Sequence, residues 1–165
     1  MGRLAMSETP PHNPTTAEVH TFRDAVCCGN EDAKVFCDLW YKYCHLIDDI
    51  LDTREDGRPT MSAEKILESY IIAAVLYNCP FFVQHRAHLF PTVLTVTNQY
   101  CDSVAWERSP LKHRRLIADV LRCCGDEMFF MIAMICGGWK HARDVSAKIR
   151  ERDFLLQHDA DGNPI

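Results

Sequence analysis

The chain lacks any long hydrophobic run. Its longest apolar stretch, Met128 to Cys136, falls far short of the roughly 20 residues that cross a bilayer, so no membrane span is expected. No apolar h-region stands near the start, which removes a secretory signal peptide from the expectations. Basic excess is missing too: the formal net charge is −5, the wrong sign for a general nucleic-acid binder. Compact catalytic motifs are absent. There is no C-x-x-C, no G-x-S-x-G elbow, no phosphate loop and no H-E-x-x-H. The E-x-x-E with E-x-x-D spacing of an all-α nucleotide pyrophosphohydrolase is missing as well. No segment keeps the alternation of a β-strand.

What remains is a chain of 165 residues, long enough for one domain with a sizeable core. Hydrophobic residues make up 47% and charged residues 25%, as in an ordinary globular protein. Cysteine is abundant: Cys27, Cys28, Cys37, Cys44, Cys79, Cys101, Cys123, Cys124 and Cys136. The number is odd and most sit within apolar helical patterns. They read as reduced core residues of a cytoplasmic protein rather than as a disulfide framework.

Helical spacing dominates the rest. Residues 1–14, with three prolines, read as a flexible lead-in, and 15–156 as the folded domain. Thr15-Thr16-Ala17-Glu18 has capping-box spacing and predicts a first helix over 16–28, ended by Gly29. Asn30 caps a second helix that reaches Asp52 or Thr53, with Phe36, Leu39, Trp40, Tyr43, Ile47 and Ile50 as its apolar stripe. Thr53 to Thr60, holding Asp56-Gly57 and Pro59, is a loop. Ser62 caps a third helix over 63–78, for which Ile66, Leu67, Tyr70, Ile71, Ala74 and Val75 supply the buried face. A fourth helical region is interrupted at Pro91 and better formed over 91–107. Ser109-Pro110 opens a fifth, bent at Gly125 and ended or broken by Gly137-Gly138. Its wholly apolar second half predicts a central position. A charged helix over 139–154 precedes a disordered tail from Gln157 to Ile165. The expectation is an all-α, single-domain antiparallel bundle of five to seven helices.

One segment points toward chemistry: His45-Leu46-Ile47-Asp48-Asp49-Ile50-Leu51-Asp52. His45, Asp49 and Asp52 share a helix face, with Asp48 at its edge. One reading is a solvated face laced by the i,i+4 pairs Lys34–Asp38, Asp38–Lys42 and His45–Asp49. The other starts from position. Three carboxylates crowd the C-terminal end of the helix, where the dipole disfavours negative charge, and they ask for a compensating cation. Arg54 and Arg58 supply part of it and a divalent metal could supply the rest, since clustered carboxylates suit Mg²⁺.

Asp48-Asp49-Ile50-Leu51-Asp52 resembles the D-D-x-x-D motif of class I isoprenoid diphosphate synthases and terpene synthases. In that family a short loop and R-R-G-x-P follow. Here Gly57-Arg58-Pro59-Thr60 is similar to its end, preceded by Glu55-Asp56 in place of the arginine pair. The resemblance implies an all-α fold in which Asp48, Asp49 and Asp52 ligate Mg²⁺ that grips a prenyl diphosphate. It implies arginines, here Arg54 and Arg58, at the departing diphosphate. A facing helix must supply a second polar wall. No second D-D-x-x-D exists, but Asn98-Gln99-Tyr100-Cys101-Asp102 is similar to a mid-sequence element of the family. His45, Asn98 and Asp102 are therefore the candidates for that wall. A homo-oligomer that completes the pocket is a further expectation, and a non-enzymatic interaction or assembly protein is the alternative.

Other features read as structural. Asp119 and Asp126 share a face and suit a helix cap or a bond to Arg122. Lys112-His113-Arg114-Arg115 reads as a solvated basic run. His85 and His88 could share a metal but have no acid or cysteine in pattern. Trp40, Tyr41, Tyr43, Phe129 and Phe130 read as core.

Overall fold

Most strong apolar stripes of the sequence become helices in the computed structural model. It describes residues 16–52, 54–55, 58–59 and 62–157, with side chains over 22–50 and 62–150. The expected lead-in over 1–14, the Thr15 cap and the tail beyond Gln157 lie outside the described residues. The fold is all-α. Helix α1 (Thr16–Cys27) stops at two consecutive left-handed residues, Cys28 at φ 50° and Gly29 at φ 80°. The second is a conformation glycine adopts without strain. Asn30 then caps α2 (Glu31–Asp52), its Oδ1 accepting from the Ala33 amide at 3.0 Å.

The polar face of α2 is partly an interface. Asp38 accepts from the Arg23 guanidinium at 2.8 Å, and Lys34 lies 3.0 Å from Asp24 and 2.9 Å from Glu31. The charges read as i,i+4 pairs along one helix thus tie α2 to α1.

Between α2 and α3 the expected plain loop contains a minimal hairpin. Strand β1 (Arg54–Glu55) pairs antiparallel with β2 (Arg58–Pro59), Arg54 opposite Pro59 and Glu55 opposite Arg58. The two intervening residues are Asp56-Gly57, a dipeptide favoured in two-residue hairpin loops.

Helix α3 (Ala63–Asn78) begins as expected, with Ser62 Oγ accepting from the Lys65 amide at 3.2 Å. Its orientation corrects the sequence reading. Leu67, Tyr70, Ile71, Ala74 and Val75 are exposed, Tyr70 by 70%. The inward side instead carries Ile66, Ser69, Ala73, Leu76 and Tyr77. Ser69 and Ala73 are half-buried, Leu76 is fully buried, and α3 packs chiefly on α2.

Helix α4 (Pro80–Trp106) runs through Pro91 without ending. Its backbone departs from helical geometry at His85 instead (φ −110°, ψ 20°). That site lies six residues before the proline, beyond the carbonyl four residues back on which its ring presses. The helices α3 and α4 meet at 90°. Among the described residues no single helix is long and apolar enough to cross a membrane.

Helix α5 (Lys112–Arg122) starts later than the Ser109-Pro110 signal implied. Ser109 Oγ accepts from the Leu111 amide at 3.3 Å, and its carbonyl accepts from Arg115 at 2.6 Å. The expected bend at Gly125 is a full 3₁₀ turn, Cys123–Gly125. Helix α6 (Asp126–Gln157) follows, broken at Gly138 (φ 75°, ψ −177°) and continuing past the expected end at 154.

The core gathers Phe36, Trp40, Leu76, Phe81, Phe82, Leu89, Met128 and Ile132. Phe36 packs on Phe81 and Phe82 at 5.6 and 5.9 Å, and Phe22 of α1 meets Phe129 of α6 edge-on at 5.2 Å. The apolar half of α6 is central as expected, with Met128, Phe129, Ile132 and Ala133 buried. All nine cysteines are free. Cys27, Cys37, Cys79 and Cys124 are buried, whereas Cys28, Cys101 and Cys123 are exposed.

Candidate functional site

The cavity-facing side of α2 carries Trp40, Tyr41, Cys44, His45 and Asp48, residues one and four apart. Against it α4 presents Val96, Thr97, Tyr100 and Cys101, and the α5–α6 connection presents Arg122 to Asp126 with Phe129. Together they line a half-open cavity of about 420 Å³. Its body is apolar and aromatic, and the Trp40 indole is fixed by donating to the Gly125 carbonyl at 3.2 Å.

One end is polar. The Tyr100 hydroxyl donates to Asp48 Oδ1. Arg122 stacks over the Tyr100 ring at 5.5 Å, sits 3.5 Å from its hydroxyl and donates to Glu107 Oε2 at 2.5 Å. Burial, and then the bond to Asp48, push the Tyr100 pKa well above the usual tyrosine value. Burial pulls the Arg122 pKa down, but Tyr100 and Glu107 more than offset it, so the guanidinium stays charged. Asp126, only 3% exposed, lines the same cavity from the first turn of α6, where the helix dipole favours a carboxylate. The Cys124 thiol is pushed up to about 11 by burial and is therefore protonated and weakly nucleophilic at neutral pH.

The structure splits the aspartate cluster. Asp48 faces the cavity. Asp49 is 64% exposed and lies 3.6 Å from Lys65 Nζ of α3. The side chains of Asp52, Arg54 and Arg58 lie outside the described residues. Among the described residues, Lys65 lies beside Asp49 and Tyr100 donates to Asp48 at the end of α2. His45 lines the cavity, its ring 4.1 Å from that of Tyr41.

Of the expected opposing wall, Asn98 is exposed, and neither it nor Asp102 lines the cavity. Their neighbour Tyr100 does. Arg122 bonds to Glu107 and Tyr100, and Asp119 is exposed. His88 is exposed and His85 packs on Phe81 at 4.8 Å. Arg114 of the basic run lies over Trp106 at 5.6 Å. Among the described residues no three His, Cys, Asp or Glu side chains converge to hold a metal ion.

Sequence reasoning missed Tyr100, Arg122 and Glu107. The one available signal was the segment Asn98 to Asp102, which lies at the right height on α4. The chain matches no protein-family model, no curated protein and no solved structure.

Proposed function

We propose that this chain binds an amphipathic small molecule in the cavity between α2, α4 and the start of α6. The apolar body would lie among Trp40, Val96 and Phe129, and the polar group at Asp48, Tyr100 and Arg122. The observation that carries this reading is the pairing of an apolar chamber with one polar end. A volume of about 420 Å³ suits a small ligand. The reading takes the helices as one bundle packed around that half-open chamber, and it is a reading of binding rather than of catalysis.

A second reading keeps the isoprenoid diphosphate. It is favoured by Asp48, which lines an apolar cavity from the end of α2. In that case Asp48 is the member of the motif on which ligand binding depends, and Asp49 is not.

The test is a melting-temperature series with benzyltrimethylammonium, neopentylbenzene, benzylphosphonate, and geranyl diphosphate with and without Mg²⁺. At least one probe is expected to raise the melting temperature of the native chain. The shift should vanish in Thr97→Trp, whose indole would fill the cavity. Shifts that persist in Thr97→Trp, or no shift with any probe, would overturn the proposal. A shift seen only with geranyl diphosphate plus Mg²⁺, lost in Asp48→Asn and kept in Asp49→Ala, would select the second reading.

A further inference from the structure

We infer that the occupant of this cavity is an organic cation, an ammonium group carried on an apolar body; the inference rests on the binding role proposed above. Three independent features set the sign. The first is the charge of the lining. Asp48 and Asp126 are its carboxylates and Arg122 its only guanidinium, and Arg122 is engaged by Glu107 at 2.5 Å from just outside. An anion entering the chamber would therefore meet carboxylates and a cation already held by an acid. The remaining titratable lining groups are His45, Tyr41, Tyr43, Tyr100 and the thiols of Cys44, Cys101, Cys123 and Cys124.

The second feature is the backbone. The C-terminal end of α2 carries the negative pole of its dipole, and Asp48 lies within its last turns. At Asp126 the start of α6 has the opposite pole and offsets the charge. The carboxylate that an ammonium group would find is thus Asp48.

The third feature is the ring content. Trp40, Tyr41, Tyr43, Tyr100 and Phe129 supply five aromatic rings to one small chamber. Ring faces attract cations, and quaternary ammonium groups are recognised by clustered aromatic side chains. The chain already uses this interaction there, because Arg122 stands over Tyr100 at 5.5 Å.

The test uses three ligands of one shape: benzyltrimethylammonium, its neutral carbon isostere neopentylbenzene, and the anion benzylphosphonate. Affinities are measured by titration calorimetry on the full chain. The cation is expected to bind about tenfold more tightly than the neutral isostere, the scale of a desolvated cation–π contact. Added salt should weaken the cation and leave the isostere unchanged. Asp48→Asn should lower the cation's affinity about tenfold with no change for neopentylbenzene. The salt series needs no variant, so the inference stays open to refutation if Asp48→Asn folds poorly. Equal or tighter binding of neopentylbenzene or benzylphosphonate would overturn the cation and leave the binding role standing. Binding of geranyl diphosphate with Mg²⁺ alone would do the same. Failure of every ligand would overturn both.

Discussion

Tyr100 joins the two walls of the cavity; burial and Asp48 hold its proton, and Arg122 opposes them. Its hydroxyl donates to Asp48 while Arg122 lies across its ring. Losing that proton would set a phenolate beside a carboxylate in a half-buried site. The folded pKa is therefore raised above the unfolded value of about 10. A raised pKa means the stabilisation is complete below pH about 10 and is lost as pH rises through the folded value. Tyr43 and Tyr77 are shifted in the same direction by burial. Tyr100→Phe is expected to destabilise the chain by about 1–3 kcal/mol at neutral pH, because Asp48 loses its donor. It should also flatten the alkaline fall in melting temperature without abolishing it. Melting curves from about pH 8 to 12 measure both. A variant as stable as the native chain, with an unchanged alkaline limb, would mean that the Tyr100–Asp48 bond contributes nothing in solution.

The helix that best shows what a pattern can and cannot say is α3. It is apolar on two sides, so hydrophobic spacing alone offers two buried faces. The side with the larger residues, Leu67, Tyr70, Ile71 and Val75, looked like the core. The structure turns inward the side with Ser69, Ala73 and Leu76. In α2 there was no such ambiguity, since charge marks one side and Phe36, Trp40 and Ile50 mark the other. The expected outcome at α3 follows from this contrast. Ile71→Gln and Val75→Gln should each change stability by about 0.5 kcal/mol or less, as surface substitutions do. Leu76→Ala should cost about 2–5 kcal/mol, the range for a fully buried aliphatic side chain. Denaturant midpoints of the three variants decide the matter, and a large loss at Ile71 with none at Leu76 would reverse the assignment of faces.

Across the whole molecule, local signals were legible and long-range partners were not. The caps at Asn30 and Ser62 and the central place of Met128 to Ala133 could be read from neighbouring residues. The cavity could not, because Asp48 and Tyr100 are 52 residues apart and nothing local records their meeting. The same holds for α1, whose short pattern gives no hint that it closes the fold. Val26 and Cys27 are fully buried, Phe22 packs on Phe129 at 5.2 Å, and the Val26 carbonyl lies 3.2 Å from His141 Nε2 of α6. Arg23 adds its bond to Asp38 of α2. The His141 ring itself is closely placed, since a Cβ on Gly137 would come within 2.5 Å of it. Helix α1 therefore covers the seam between α2 and α6 with both apolar and polar contacts. A chain that begins at Asn30 would expose the far side of Phe129 and of Cys37 to water. Its stability should fall by about 3–5 kcal/mol, the scale of deleting one large core aromatic and its partners. Against a typical total of about 5–15 kcal/mol, that moves the guanidinium midpoint sharply downward or abolishes the cooperative transition. An unchanged midpoint would show that α2 and α6 hold together without α1, and that its burial in the fold adds nothing to stability.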